Sequence, residues 1–166
     1  MGPVSQLYID ADACPVRDEA FRVAFRLGLH VHVVSNGARG ILLPETPLVH
    51  RVIVSEGADV ADDWIADRIT ADDVCVTQDI PLAARCLEKG ARALTAKGHL
   101  WTLANIGGAL AGRAVAEHLR STGGRTGGPS GMTPADRSNF LSALDTALRA
   151  AMRGPAPVMK LPPGGF

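Results

Sequence analysis

The 166-residue sequence lacks the features that mark membrane and secreted proteins. No apolar run approaches the ~20 residues that a membrane-spanning helix needs, and the N-terminus has no basic segment followed by an apolar stretch. The three cysteines have no metal-like spacing, and their odd number suits a reducing compartment better than a disulfide framework. Aromatic residues are few (two Trp, one Tyr and four Phe), so no platform for stacking nucleic-acid bases is evident. We therefore expect a cytoplasmic protein without membrane contact, and one domain is the default for this length.

Charge is balanced over the whole chain but divided between its halves. Residues 1–80 hold 13 of the 17 acidic and 6 of the 17 basic side chains, a net charge of −7, whereas residues 81–166 carry +7. Eight carboxylates fall within residues 56–79, where they repel one another unless they are solvated, spread apart or neutralised by a cation. Fourteen of the seventeen bases are arginine, which suits bidentate phosphate contacts. Composition alone leaves open whether the acids form a solvated face or a cation site.

Hydrophobic periodicity predicts strands and helices in alternation. Short apolar segments typical of buried strands are separated by segments with apolar residues at helical spacing. This alternation with short connections favours a parallel, doubly wound α/β sheet. A glycine-rich loop is predicted at 121–131 and a disordered tail at 154–166, so the folded domain is expected to span residues 1–153. The predicted strands are Leu7–Asp10, Leu29–Ser35, Leu48–Val54, Val74–Thr77 and Ala91–Leu94, and the predicted helices are Val16–Leu27, Asp59–Ile69, Pro81–Glu88, Asn105–Leu119 and a last one, capped by Thr133, that runs to about Arg153.

Several carboxylates follow predicted strands and so converge at one edge of the sheet. Asp10 ends the first strand with Asp12 two residues on, and Asp79 follows the fourth strand. If strands one and four are the adjacent central pair, these acids meet where ligands bind in such folds, beyond the carboxyl ends of the strands at the reversal of the winding. The helix start that contains Asp59 and Asp62 opens at the same rim. Oxygen ligands without a lysine among them suit Mg²⁺ or Mn²⁺, which can activate water for attack on a phosphodiester.

Each of these residues also has a structural alternative. Asp59 and Asp62 fit the N-cap and first-turn acid of one helix, and Asp79 fits the N-cap of the next. Asp10 is harder to explain structurally, because an acid that ends an apolar strand has little packing value. Thr77 is either an ordinary strand residue or a hydrogen-bond partner for a metal-bound water or a phosphate.

Two other chemistries have weaker support in the sequence. Cys14 lies ahead of a helix, where thiolates form, but no histidine is close in sequence to act as its base. His30 and His32 alternate on a strand and the other histidines are scattered, which argues against a zinc cluster.

Three motifs closely resemble the YaiI/YqxD family of bacterial proteins: YIDADACP at 8–15, GADVAD at 57–62 and VTQDIPLA at 76–83. Shorter matches extend the resemblance over about residues 6–150. That family is similar to a branch of the PIN-like nuclease superfamily. The resemblance implies a three-layer, Rossmann-like PIN fold with a central, mostly parallel sheet flanked by helices, plus a C-terminal helix.

PIN nucleases cut RNA with three or four carboxylates and one or two Mg²⁺ or Mn²⁺ ions. Another acid often follows the next strand in that superfamily, but this sequence has Asn105 there, and its amide oxygen carries no charge to offset an ion. The resemblance implies that the acids of the catalytic and metal site are Asp10, Asp62 and Asp79, with Asp12 and Asp59 as further metal ligands and Thr77 and Asn105 in support.

The leading hypothesis is therefore a Mg²⁺- or Mn²⁺-dependent nuclease that acts on RNA. Arg85, Arg125 and Arg137 are the predicted contacts to nucleic acid, the last two because they flank the glycine-rich loop. One alternative is a non-catalytic PIN-like module that binds metal or nucleic acid. A less favoured alternative is a haloacid-dehalogenase-like phosphatase built on Asp10 and Asp12, because that family needs a lysine and then a final acidic pair, and these occur in the wrong order here.

Overall fold

Strands and helices mostly alternate along the part of the chain that the structure describes, but the second and third strands follow one another with no helix among the described residues between them. The computed structural model describes residues 5–11, 14–37, 42–57, 59–107 and 132–154. Asp12, Arg125, the predicted loop at 121–131 and the predicted tail after Gly154 lie outside these residues. The elements are β1 (Gln6–Asp10), α1 (Arg17–Leu27), β2 (His30–Ser35), β3 (Val49–Ile53), α2 (Val60–Arg68), β4 (Val74–Val76), α3 (Ile80–Glu88), β5 (Arg92–Leu94) and α4 (Pro134–Arg153).

The five strands form one parallel sheet in the order β3-β2-β1-β4-β5. This confirms the predicted α/β class and the adjacency of the first and fourth strands. β1 is central, and its Leu7 and Ile9 face one side of the sheet while Tyr8 faces the other. Both faces are covered by helices, which explains why this strand is an apolar run without polar alternation.

Two layers of helices enclose the sheet. On one face, α1 and α4 pack on the strands, and Phe140, Leu144 and Leu148 of α4 are completely buried there. On the other face, α2 and α3 supply Ile65 and Leu82 to a second core. The core is thus split by the sheet, and the chain forms the three layers that the sequence predicts.

The helix ends follow the local signals in the sequence. Gly28 ends α1 in the left-handed conformation with φ of 69°, which glycine adopts without a Cβ clash. Thr133 and Asp136 form a capping box at the start of α4. The helix predicted at Asn105–Leu119 is described only in its first part, where residues 103–107 are helical.

All three cysteines are buried free thiols. Among the described residues, no helix is both long and apolar enough to cross a membrane.

Candidate active site

The winding of the sheet reverses between β1 and β4, and the candidate site lies at the carboxyl ends of these strands. Asp10 is the last residue of β1, and Thr77 directly follows β4. From β1 the chain builds outward through β2 and β3, and it then returns to build β4 and β5 on the other side. Crossovers therefore leave this edge in opposite directions, which opens a crevice between them.

The hydroxyl of Thr77 connects two of the predicted acids. It donates a hydrogen bond to Asp10 Oδ2 at 3.0 Å and accepts one from the backbone N–H of Asp79 at 2.9 Å. Thr77 is only 2% exposed, so water does not compete for these bonds. The alternative of an ordinary strand threonine is therefore wrong: this side chain orients the Asp10 carboxylate and the chain that enters α3.

Asp79 serves as the N-cap of α3. Its Oδ1 accepts a hydrogen bond from the backbone N–H of Leu82 at 2.8 Å, and Pro81 lies in the first turn. The N-cap role that the sequence offered as an alternative is thus confirmed for Asp79, but this side chain makes a second contact as well. Its carboxylate also hydrogen-bonds to Asp62, so one side chain caps a helix and borders the cleft.

Asp62 is the most buried of these acids, with 9% of its surface exposed. Burial raises its pKa from 3.8 to about 7, and the negative charges of Asp79 and Asp10 together with the hydrogen bond to Asp79 act in the same direction. Two carboxylates can share a hydrogen bond only when one is protonated, and the raised pKa of Asp62 favours its protonated form.

Asp59 occupies the N-cap position of α2 in an unusual way. Its backbone has φ of 70°, and among the described residues it alone has positive φ without being glycine. Its side chain makes no capping hydrogen bond, so the N-cap interpretation from the sequence is wrong for Asp59. The carboxylate instead borders the cleft that Asp10 and Asp62 also line.

The cleft has a volume of about 280 Å³ and a strongly acidic lining. Among the described residues that line it, none is a lysine or an arginine, and four carboxylates share this small space. As the side chains stand, no three His, Cys, Asp or Glu residues within the described ranges are placed to hold a metal ion. The lining residues are Asp10, Asn36, Val54, Ser55, Gly57, Asp59, Ala61, Asp62 and Asp79.

Asn36 and Ser55 were not identified from the sequence as site residues. Each follows a strand, β2 and β3 respectively, so both lie at the carboxyl edge next to the acids. The signal that could have found them is their position just after strands, the same signal that singled out Asp10 and Asp79.

Asn105 is not among the residues that line the cleft. Its side-chain oxygen accepts from the backbone N–H of Thr102 at 2.8 Å, and its Nδ2 donates to the carbonyl of Leu100 at 2.8 Å. These bonds fix the start of the helix at residue 103, so Asn105 holds a loop in place and does not supply the missing acid.

The predicted arginine contacts within the described ranges are held by acids. Arg85 forms an exposed ion pair with Asp63 at 2.6 Å. Arg137 pairs with Glu19 at 2.9 Å and also donates to the carbonyl of Pro15 at 3.2 Å. Neither arginine lines the cleft, and a phosphate contact by either remains a prediction.

Cys14 does not fit a nucleophile. It is 5% exposed, and burial raises the pKa of its thiol to about 11. The thiolate is therefore almost absent at neutral pH, which excludes the ground-state activation that a nucleophilic cysteine needs.

The histidines of β2 and β3 are less scattered than the sequence suggested. His50 stacks on both His30 and His32, with ring centroids 5.0 and 4.9 Å apart, and His32 stacks in turn on Tyr8. Strand register brings these rings together, and the prediction missed it because it considered only neighbours along the chain.

Fold and site together define a parallel α/β domain with a carboxylate-lined cleft at the switch point of its sheet. The sequence model of the family described as "Uncharacterized BCR, YaiI/YqxD family" matches residues 8–150, and the chain belongs to this family.

Curated relatives agree with the assignment to this family. A "UPF0178 protein" of a Caulobacter species is 54% identical over 89% of the chain and 96% of its own length. A UPF0178 protein of Azorhizobium caulinodans is 55% identical over 86% of the chain and 88% of its own length. A UPF0178 protein of Rhodospirillum rubrum is 51% identical over 90% of the chain and 99% of its own length. No solved structure matches the chain.

Proposed function

We propose that this protein is a metal-dependent nuclease that cuts RNA, with Mg²⁺ or Mn²⁺ held by Asp10, Asp62 and Asp79 and assisted by Asp59. The observation that carries the proposal is the crowding of these four carboxylates in one small cleft. Like charges at such close quarters carry an electrostatic cost that a bound cation offsets.

The donor set fits a hard divalent cation. All four acids offer carboxylate oxygens, the ligand type that Mg²⁺ and Mn²⁺ prefer. Because no described group of three is ready to hold an ion, binding would have to draw the side chains together and release the proton between Asp62 and Asp79. When bound, the ion would stabilise negative charge on the phosphate and lower the pKa of the attacking water.

The chain's own residues would position this chemistry. Thr77 fixes the orientation of Asp10 through its 3.0 Å hydrogen bond, and the start of α3 holds Asp79. Asp62, once it has released its proton, adds a further anionic oxygen. RNA as the substrate rests on the resemblance of the motifs to PIN-like nucleases and on the arginine content of residues 81–166. A cytoplasmic location accompanies the proposal.

A non-catalytic metal- or nucleic-acid-binding module is the second candidate. It is favoured by Asn105, whose amide is used in the loop and does not replace the additional acid that PIN nucleases often carry. A haloacid-dehalogenase-like phosphatase is disfavoured, because no lysine is found among the described residues that line the cleft.

A cleavage panel separates these functions. The protein is incubated with RNA, single-stranded DNA and a small phosphate ester, each with Mn²⁺ and with a chelator. We expect Mn²⁺-dependent cleavage of RNA that Asp10→Asn abolishes, whereas the control Asp63→Asn, an exposed acid outside the cleft, retains it. Without metal, Asp10→Asn should melt at or above the wild-type temperature, because the substitution removes a charge from among like charges.

The other outcomes are equally informative. Stabilisation by Mn²⁺ without cleavage of any substrate would favour the binding module. Cleavage of the small ester alone would favour a phosphatase. A loss of metal-free stability in Asp10→Asn with an unchanged response to Mn²⁺ would assign Asp10 a structural role and contradict the proposed site.

A further inference from the structure

A second groove, with a volume of about 580 Å³, lies between α4 and the β5 edge of the sheet. This volume is within the range of small-molecule sites. After β5 the chain turns back on itself, and Leu100 pairs with Leu94 in an antiparallel bridge. None of the groove residues lines the carboxylate cleft, so the groove is a separate feature.

The floor and walls of the groove are mainly aliphatic. Leu94 and Ala147 are buried at its base, Ala143 lies beside them on α4, and Leu100 remains 47% exposed on the opposite wall. An exposed leucine beside an apolar depression favours an apolar occupant. The described lining residues include no Phe, Tyr or Trp, so they offer no ring on which a nucleobase would stack.

One end of the groove carries positive charge that the described residues leave uncompensated. Arg92 lines this end and donates one hydrogen bond, to the carbonyl of Gly154 at 3.4 Å. Burial and the charge of Arg153 both lower the pKa of Arg92, so a second guanidinium lies close to it. Within the described ranges neither arginine forms an ion pair, although a guanidinium offers five donors that suit a carboxylate.

The other end differs, because its positive charge has a counterpart. Lys97 and His99 line that end, and their charges help to lower the pKa of Asp136 on the first turn of α4. An anionic ligand therefore gains most at the Arg92 end. Among the described residues that line the groove none carries a carboxylate that would repel such a ligand.

We propose that this groove binds a small aliphatic carboxylate, with the carboxylate at Arg92 and the hydrocarbon chain along Leu94 and Leu100. Charge complementarity favours an external ligand over the chain's own remaining segments. Residues 155–166 contain no acidic side chain, and residues 108–131 contain a single Glu against three Arg. The proposal is independent of the nuclease function.

The test is calorimetric titration of the full-length protein with octanoate. 1-Octanol, which has the same chain length but no charge, is the matched control ligand. Adenosine monophosphate is the third ligand in the titration. We expect octanoate to bind at least tenfold more tightly than octanol. Arg92→Gln should weaken octanoate binding by about tenfold or more, since it removes a charged hydrogen-bond donor. The control Arg149→Gln, on α4 but paired with Asp145 outside the groove, should leave it unchanged.

A second variant tests the groove itself. Ala143→Leu places a larger side chain in the wall, and we expect it to abolish octanoate binding while the thermal unfolding transition stays cooperative. Failure of octanoate to bind the wild type, equal affinity for octanol, or binding of adenosine monophosphate alone would each overturn the proposal. A wild-type dimer that Ala143→Leu converts to monomer in sedimentation would instead assign the groove to a second copy of the chain.

Discussion

Replacing Asp62 with asparagine should stabilise the metal-free protein at pH 8 and have little effect at pH 4. The carboxyl of Asp62 is protonated more readily in the folded state than in the unfolded state, where its pKa is near 3.8. Folding is therefore favoured by this group below pH 4, and the advantage is lost as pH rises through about 7. The asparagine amide carries no charge and can still donate a hydrogen bond to Asp79.

The magnitude follows from the change in pKa. A rise from 3.8 to about 7 corresponds to about 4 kcal/mol at ~1.36 kcal/mol per pH unit. Because the carboxylate borders an open cleft, water screens its interactions, and we expect about 2 kcal/mol at pH 8. The free energy of unfolding of Asp62→Asn should exceed that of the wild type by this amount at pH 8.

Urea unfolding at several pH values between 4 and 8, in the presence of a chelator, measures the difference directly. The free-energy difference between Asp62→Asn and wild type should grow between pH 4 and pH 7 and then level off. Asp63→Asn is the control, because its exposed carboxylate pairs with Arg85 on the surface and should give a nearly constant difference of less than about 1 kcal/mol. A difference for Asp62→Asn that does not vary with pH would refute the electrostatic reasoning.

Three further predictions test the packing around the site and the sheet. Thr77→Val should lower the free energy of unfolding in urea by about 1–3 kcal/mol and reduce stabilisation by Mn²⁺, because it removes the hydroxyl that donates to Asp10 and accepts from the backbone N–H of Asp79. Thr77→Ser should retain both the stability and the response to Mn²⁺. Gly98→Ala should lower the melting temperature markedly and reduce the free energy of unfolding by about 2 kcal/mol or more. The reason is that φ of Gly98 is 86° and an added Cβ would lie 2.7 Å from the carbonyl oxygen of Asn139. A melting temperature equal to that of the wild type would contradict this close approach. Burial and the charges of two neighbouring histidines lower the pKa of His32 to about 4, so the free energy of unfolding should fall as pH decreases from about 6.5 towards 4. His32→Gln should reduce that loss by about 1 kcal/mol after screening, which unfolding in urea at pH 5 and pH 7 would measure.

Local patterns in the sequence were sufficient to predict the strands and helices that carry the site. Strand ends and helix starts are local signals: an apolar run that stops at Asp10, a proline in the first turn of α3, and a glycine that ends α1. In a parallel sheet every carboxyl end lies at one edge, so their positions after strands placed Asp10 and Asp79 at that edge, and the adjacency of β1 and β4 makes them neighbours. The predicted acids within the described ranges consequently line one cleft.

Only the tertiary structure decided which partner each side chain has. Arg137 is 118 residues from Glu19 along the chain, and His50 is 20 residues from His30, so no local pattern could indicate either contact. Likewise, the backbone of Asp59 turns left-handed and frees its carboxylate from the helix that its position suggested it would cap. Such contacts depend on strand order and register and on the packing of helices across the sheet, because the free energy of a side chain's contacts depends on neighbours that only folding brings within reach.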